Sequence, residues 1–263
     1  MRWLANDARG PVDYRIRGDW TFRCPRNAAE RAFYLQVEDP PQVREFDDFV
    51  NHVRTAGRVV LLDIGSHFGV FCFAAVHYGG PGSRAMAVDP SSEAREMVDR
   101  IVALNGWRST VSFLQAAAGA QDGSLEMVET GLTGAGYLVL PKDHPQADRR
   151  RLPMHTVETL VRQLGEPPTV VKVDVEGFEL DVLRGGPVTF GQRRTPLFLE
   201  IHNAMMRERG LDPAEVVRHL RSLGYDSFQI GGRELSDTEL SGPDVVRVLA
   251  RALKPSGGDR TPA

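Results

Sequence analysis

The clearest hydrophobic pattern in the chain is an unbroken apolar run that ends in an acid. Residues 59–62 form this run, and Asp63 closes it before a turn that holds Gly65 and Gly69. Such a run is typical of a strand buried on both faces of a parallel sheet. Apolar residues 70–76 then predict a helix packed on that sheet. Strand, glycine turn and helix form the first half of a nucleotide-binding α/β unit.

Strand and helix patterns then alternate along the chain. Further strands are predicted at 83–88, 111–115, 169–175, 196–203, 224–230 and 245–250, and helices at 91–105, 156–164 and 213–223. Strands that alternate with helices favour a mostly parallel sheet covered on both faces. The chain is therefore predicted to be an α/β protein with one doubly wound sheet.

The two ends of the chain differ from this middle part. Residues 1–50 have an irregular pattern, with short alternating segments at 13–17 and 20–23 and an amphipathic helix at 43–53. We expect a small N-terminal cap over 1–50, most of it packing against the sheet edge, with Tyr34 as a candidate pocket wall. The main domain is expected over 51–253, and residues 254–263 are expected to form a disordered tail.

The segment 120–156 has the weakest pattern. Residues 124–128 suggest one extra strand, and the glycine-rich residues 131–136 suggest a mobile stretch. Three arginines stand at 149–151. For this basic run we prefer a solvated loop over a contact with an anionic substrate group, because arginine side chains are mostly exposed.

Composition and charge narrow the functional classes. The chain has 263 residues, of which 41% are hydrophobic and 25% charged, as expected for a soluble α/β core. Its formal net charge of −3 gives no sign of a nucleic-acid or anionic-membrane partner. No apolar stretch approaches the ~20 residues that span a bilayer, and no signal-peptide core follows Met1. Nothing demands a disulfide between Cys24 and Cys72, so we expect a cytoplasmic protein.

The turn after the first strand indicates which ligand the sheet holds. A dinucleotide site needs G-x-G-x-x-G, whereas His67 stands here where the middle glycine would be. The carboxylate of Asp63 would repel a pyrophosphate and attract an ammonium group. The D-x-G-x-x-x-G spacing resembles the loop of S-adenosylmethionine-dependent methyltransferases, and its candidate cofactor contacts are Asp63, Gly65, Ser66, His67 and Gly69. An NAD-dependent oxidoreductase, or a capping turn that binds nothing, remains an alternative.

The next two strands end in side chains suited to the rest of a nucleoside. Asp89 closes the second strand, where an acid can accept hydrogen bonds from both ribose hydroxyls, and Pro90 follows it. Ala116 begins a run of small residues after the third strand, which leaves room for a flat ring, and Gln115 is placed to bond to that ring. These four residues are candidate cofactor contacts.

Charged residues interrupt two later strands at the same edge of the sheet. Lys172, Asp174 and Glu176 alternate, so they share one face if the extended conformation continues that far. Glu200 and His202 alternate in the same way at the end of the next strand. A closed salt-bridge network is the structural alternative, because buried charges need partners. We prefer a functional site, since ligands of such sheets bind at the carboxyl ends of strands.

Taken together, these motifs resemble those of FkbM-type S-adenosylmethionine-dependent methyltransferases. The matching segments are 63–69, 89–90, 172–179 and 200–202. Two departures are His67, where family members often have Asn, and Asp89, which often is Glu. The resemblance implies a Rossmann-like class I methyltransferase fold whose last strand is antiparallel. It also implies O-methylation of a small-molecule acceptor, such as a sugar, a glycoside or another natural-product intermediate, and leaves a homodimer open.

The chemistry implied by this resemblance needs an aligned acceptor hydroxyl and a group that takes its proton. His202 is our candidate base, because its unperturbed pKa of ~6.5 suits proton transfer near neutrality. Glu200 or Glu176 would orient its ring. Asp174, which also counts as a cofactor contact, and Lys172 complete the candidate catalytic set.

A metal-assisted version would use the same end of the sheet. Asp174, Glu200, His202 and Asn203 offer oxygen and nitrogen ligands that Mg²⁺ or Mn²⁺ would accept. We favour the direct base, because Lys172 already places a positive charge among these acids. A non-catalytic cofactor-binding module is the remaining alternative, and the number of acids in the cluster argues against it.

Overall fold

The computed structural model describes residues 10–16, 20–29, 40–129, 138–139 and 149–253. The strands are β1 (Val12–Ile16), β2 (Trp20–Cys24), β3 (Val60–Ile64), β4 (Arg84–Val88), β5 (Val111–Leu114), β6 (Ala117–Ala118), β7 (Gly123–Glu129), β8 (Leu138–Val139), β9 (Arg149–His155), β10 (Val170–Val173), β11 (Leu197–His202), β12 (Ser227–Ile230), β13 (Arg233–Glu234) and β14 (Val245–Arg251).

The helices are α1 (Pro40–Ala56), α2 (Val70–Tyr78), α3 (Ser92–Asn105), α4 (Val157–Leu164), α5 (Glu179–Arg184), α6 (Asn203–Glu208), α7 (Ala214–Ser222) and α8 (Asp237–Leu240). A helical turn (Arg26–Ala28) and a π-helical segment (Pro187–Gln192) complete the described structure. Within these residues, no helix is both long and apolar enough to cross a membrane.

The central sheet has eight strands in the order β13-β12-β14-β11-β10-β3-β4-β5. The strands from β11 to β5 are parallel to one another, and β14 runs antiparallel between β11 and β12. This order confirms the doubly wound α/β sheet with a reversed last strand. Successive strands are added in opposite directions from β3: β4 and β5 lie on one side, and β10 and β11 lie on the other. The carboxyl ends of β3, β4 and β10 therefore frame a crevice, where such folds bind ligands.

The apolar runs form strands because both faces of the sheet are covered. Every residue of β3 is buried: Leu61 faces a core with α1, α2 and α3, and Leu62 faces a second core with α4 and α7. Ser91 begins α3 as predicted, since its side chain accepts a hydrogen bond from the Ala94 amide.

The N-terminal hairpin of β1 and β2 packs into the first of these cores. Trp20 and Phe22 are buried, and the ring of Trp20 stacks on His77 of α2 at 4.6 Å. The predicted helix at 43–53 is α1, which extends across residue 50. These contacts make the hairpin part of the core. Tyr34, the candidate pocket wall, lies outside the described residues.

The segment between β5 and α4 adds a separate four-stranded sheet in the order β6-β9-β7-β8. The predicted strand at 124–128 is β7, but the prediction of a loop at 149–151 is wrong. These arginines begin β9, which pairs with both β6 and β7 through its backbone. Their side chains are exposed, and Arg149 lies 3.2 Å from Glu126. The predicted mobile stretch at 131–136 and the predicted tail at 254–263 fall outside the described residues.

Candidate active site

The glycine turn after β3 brings the chain close to the end of β10. Gly65 and Gly69 have left-handed φ angles of +79° and +78°, a conformation that side chains disfavour. A Cβ on Gly65 would overlap the carbonyl oxygen of Asp174. The absence of a side chain thus lets two neighbouring strand ends meet at the crevice.

A cleft opens beside this turn. Five predicted cofactor contacts line it: Gly65, Asp89, Pro90, Ala116 and Asp174. The structure therefore collects residues from the ends of β3, β4, β5 and β10 around one cleft. The remaining lining residues are Ile64, Val88, Ala117, Ala118, Leu125, Met127, Val175, Glu176 and Phe178.

Asp89 fixes the shape of the cleft. One of its carboxylate oxygens accepts a hydrogen bond from the His67 amide at 2.9 Å, and the other accepts one from the Ser91 amide at 2.8 Å. Asp89 is 1% exposed and still lines the cleft. The acid that the sequence assigns to ribose therefore also holds the glycine turn against the start of α3.

The other predicted cofactor contacts support the cleft from behind in the described structure. Asp63 is fully buried and accepts a hydrogen bond from the Cys72 thiol at 3.4 Å; burial, partly offset by Lys172, raises the pKa of Asp63 to about 6. Ser66 is buried, and its amide donates to the Val88 carbonyl. Three contacts remain. Gly69 caps the start of α2, and the side chain of Gln115 donates to the Pro90 carbonyl. The ring of His67 stacks on Phe68, and burial lowers its pKa to about 4.

The added sheet supplies the part of the cleft that the sequence does not reveal. Leu125 and Met127 alternate on β7 and both face the cleft, while Glu126 between them faces outward to Arg149. The cleft measures only about 90 Å³, well below the ~300 Å³ at which ordinary ligand pockets begin. As arranged, the cleft is therefore smaller than a whole nucleoside requires.

Beside the cleft, a buried cluster of charges lies on the face of the sheet covered by α1. Lys172 is 2% exposed, and its ammonium group lies 3.4 Å from carboxylate oxygens of Asp174, Glu200 and Glu45. Arg247 of β14 adds a second cation, 2.7 Å from Glu200. Sequence reasoning missed Glu45 and Arg247, because a single acid on α1 and a single arginine on β14 carry no pattern.

The acids of this cluster differ in protonation. Burial, opposed by Lys172, raises the pKa of Glu45 well above its usual range. Burial would also raise the pKa of Glu200, but Lys172 and Arg247 outweigh it and lower that pKa to about 2. Glu200 is therefore the stronger acid of the two, because it lies nearest to both cations while burial dominates at Glu45.

His202 lies at the end of β11 with both ring nitrogens near acids. Nδ1 is 2.8 Å from Glu179, whereas Nε2 is 3.4 Å from Glu176 and 3.7 Å from Asp174. Burial opposes the charged ring, but the bond to Glu179 and the charges of Asp174 and Glu176 raise the pKa of His202 to about 9. The ring is therefore an imidazolium near neutral pH, and its Nε2 faces the two acids that line the cleft.

The expectation that Lys172, Asp174 and Glu176 share one strand face requires the extended conformation to continue to Glu176, and this condition is not met. β10 ends at Val173, and Glu176 adopts a left-handed φ of +53°. The turn places Glu179 at the start of α5, fully buried, where it accepts hydrogen bonds from both His202 and the Gly177 amide. Glu179, rather than Glu200 or Glu176, thus orients the ring through Nδ1.

These features match one family. Residues 63–227 match the family model of the methyltransferase FkbM domain, which includes the glycine turn, the cleft and the charged cluster except for Glu45 and Arg247. The chain belongs to the FkbM methyltransferase family. Membership places the domain among the S-adenosylmethionine-dependent methyltransferases, which disfavours the NAD-dependent oxidoreductase. Among curated proteins, no sequence matches the chain significantly.

Solved methyltransferases resemble the FkbM chain at low identity. The methyltransferase FkbM from Methylobacillus flagellatus is 16% identical with a TM-score of 0.48, over 73% of this chain and 43% of that one. A SAM-dependent methyltransferase from Agrobacterium tumefaciens is 12% identical with a TM-score of 0.46, over 91% and 68%. An O-methyltransferase from Bacillus cereus, solved with SAH, is 11% identical with a TM-score of 0.42, over 80% and 81%. This chain thus spans less than half of the Methylobacillus structure.

The ligand set predicted for a metal in this FkbM domain comes together only in part. Ligand atoms of Asp174, Glu200 and His202 lie within 4.8 Å of one another. The Asn203 amide nitrogen donates to the carbonyls of Leu240 and Asp244, and its buried amide oxygen has no hydrogen-bond partner among the described residues. Both oxygens of Glu200 already face cations, since Lys172 lies near one and Arg247 near the other. As arranged, this set does not suit a resident divalent ion.

Proposed function

We propose that the chain transfers the methyl group of S-adenosylmethionine to a hydroxyl of a small molecule. In this step the carbon–sulfur bond breaks and a carbon–oxygen bond forms, so the sulfonium becomes a neutral thioether and the hydroxyl loses a proton. The observation that supports it is the position of His202, whose Nε2 faces Asp174 and Glu176 at the wall of the cleft.

The cleft and the glycine turn suit the two ends of this cofactor. The adenosine would lie along Asp89, Pro90 and the small residues from Ala116 onward. The amino-acid end would lie at the turn between Gly65 and Gly69, where buried Asp63 places negative charge beneath an ammonium group. When bound, the cofactor supplies the electrophilic methyl group.

In this proposal His202 receives the proton at Nε2, while Glu179 holds Nδ1. The raised pKa of His202 makes the ring an imidazolium in the free protein. A sulfonium bound beside it is a like charge, which lowers the pKa and favours the neutral ring. The cofactor that brings the methyl group would therefore also prepare the base.

We further propose a sugar, a glycoside or another natural-product intermediate as acceptor, in the cytoplasm, with neither nucleic acid nor membrane as partner. The net charge of −3 supports this choice, because nucleic acids and anionic lipids select basic surfaces. The O-methyl product and the base rather than metal mechanism belong to the same proposal, and a homodimer is compatible with it.

The test is His202→Ala, assayed with radiolabelled S-adenosylmethionine against a panel of sugars, glycosides and phenols. A general base contributes roughly 10²- to 10⁴-fold, so the rate should fall on that scale. Binding of S-adenosylhomocysteine, followed by calorimetry, should stay within a factor of a few. Equal rates for variant and wild type would refute the base. If the wild type binds S-adenosylhomocysteine but methylates nothing in the panel, the non-catalytic module is favoured.

A further inference from the structure

A second groove runs along β14, on the reversed edge of the sheet. Its walls are apolar, and three arginines reach it from α1, β13 and β14. Its volume is about 770 Å³, within the range of small-molecule sites. The apolar residues are Ile230, Leu235, Pro243, Val245 and Val246, and the arginines are Arg44, Arg233 and Arg247.

This groove begins one strand away from the base. Val245 is the register partner of His202 across the β11–β14 pair, and Arg247 is the partner of Glu200. Val245 is 42% exposed, which is unusual for a large apolar side chain in this protein. A molecule whose hydroxyl lies at His202 therefore needs to extend only across β14 to reach the groove.

The charges of the groove are unequal. Arg233 forms an ion pair with Glu239 at 2.6 Å, and Glu239 also closes the capping box of α8. Arg247 is held by Glu200 and lies 3.7 Å from Glu45. Arg44 is exposed and has no ion pair among the described residues.

The acids nearest to Arg44 in the chain are committed elsewhere. Glu45 faces Lys172 in the buried cluster, and Asp48, one helical turn on, accepts a hydrogen bond from the Gly231 amide at 2.6 Å. The lining thus has three arginines and one acid, Glu239. An oxyanion that enters the groove meets a guanidinium that no described acid neutralises.

We propose that this groove binds the carboxylate end of the methyl acceptor, which makes the acceptor a hydroxylated organic acid with an apolar body. The inference rests on the proposed function, because it places the acceptor hydroxyl at His202. Every lining residue of the groove lies outside the matched range 63–227, so the groove belongs to this chain and not to the family pattern.

The experiment uses the full chain saturated with S-adenosylhomocysteine and two probes that differ only in charge. These are 4-hydroxyphenylacetate and its neutral amide, titrated by saturation-transfer NMR. A charge-assisted contact should make the acid bind about tenfold more tightly than the amide. Arg44→Gln should bring this ratio close to one. Arg218→Gln is the matched control, because Arg218 is an exposed arginine of α7, away from the groove, and pairs with Asp212.

The preference for the acid should also shrink as NaCl rises from low to high concentration, because salt screens exposed charges. A ratio near one in the wild type, an unchanged ratio in Arg44→Gln, or failure of both probes to bind would overturn the inference. Calorimetry with S-adenosylhomocysteine separates the two proposals. If that ligand binds while the probes show no charge preference, the groove assignment alone is wrong; if that ligand does not bind, the proposed function is wrong.

Discussion

Glu179 and His202 are 23 residues apart in the chain, yet Oε1 of Glu179 lies 2.8 Å from Nδ1 of His202. Glu179 is fully buried, so its charge acts on the ring without screening by water. This pair fixes which nitrogen bears the structural hydrogen bond and leaves Nε2 toward the cleft. A carboxylate behind a histidine both orients the ring and stabilises its charged form.

The Glu179–His202 pair should govern the pH dependence of the reaction. As a base, His202 must first lose its proton. A plot of kcat/KM for the cofactor against pH should therefore rise to a plateau, with its midpoint near the pKa of about 9. Glu179→Gln removes the charge that stabilises the imidazolium, so the midpoint should move to lower pH. Glu215→Gln, on the exposed pair with Arg184, serves as control. An unchanged midpoint in Glu179→Gln would show that Glu179 does not control the pKa of the base.

Gly65 should tolerate no side chain. Gly57 has a similar left-handed φ of +73° with open space around it, so Gly57→Ala isolates the backbone strain of ~1–2 kcal/mol. Gly65→Ala adds an overlap with the Asp174 carbonyl. Thermal unfolding should show the larger loss of stability for Gly65→Ala, and calorimetry should show loss of S-adenosylhomocysteine binding in that variant alone. Equal behaviour of the two variants would contradict the close approach.

Asp89 should contribute to cofactor affinity. Asp89→Asn keeps the size of the side chain but removes the charge that strengthens hydrogen bonds to ribose, a loss of ~1.5–3 kcal/mol or roughly tenfold to hundredfold in Kd. It also leaves the His67 or the Ser91 amide without its acceptor, so thermal unfolding of the variant measures the structural part of the loss. Asp99→Asn on the exposed face of α3 is the control, since Asp99 lies 3.8 Å from Arg95 in solvent. Titration with S-adenosylhomocysteine measures both. An unchanged affinity in Asp89→Asn would remove Asp89 from the ribose site.

Removal of divalent metal should leave methyl transfer intact. The cations of Lys172 and Arg247 already occupy the space around Glu200, and an imidazolium at His202 would repel a third. Activity should therefore survive dialysis against a strong chelator. Loss of activity that Mg²⁺ or Mn²⁺ restores would show that the cluster rearranges around an ion and would reverse the choice of a direct base.

The sequence predicted the parallel strands and the glycine turn because their signals are local. A fully apolar strand such as β3 has to be buried on both faces, and a left-handed turn next to another strand requires glycine at Gly65. The cleft residues Asp89 and Ala116 followed because parallel strands deliver their carboxyl ends to one edge. These inferences need only periodicity and chain direction.

The missing parts of the site depend on contacts that no local pattern encodes. Glu45 reaches the cluster because α1 packs on the sheet beside Lys172, although the two residues are more than a hundred positions apart in the chain. Glu179 faces His202 because Glu176 leaves the extended conformation, which alternation alone cannot foresee. The arginines at 149–151 pair with β7 through their backbone, while their side chains are exposed to water.

The order of the central sheet places the cleft and the groove on different strands. The described lining of the cleft includes no residue of β12, β13 or β14, whereas these strands contribute five of the eleven residues that line the groove. Mutations that accumulate on the reversed edge therefore leave the glycine turn and Asp89 untouched. One edge of a single sheet can thus change its ligand without altering the opposite edge.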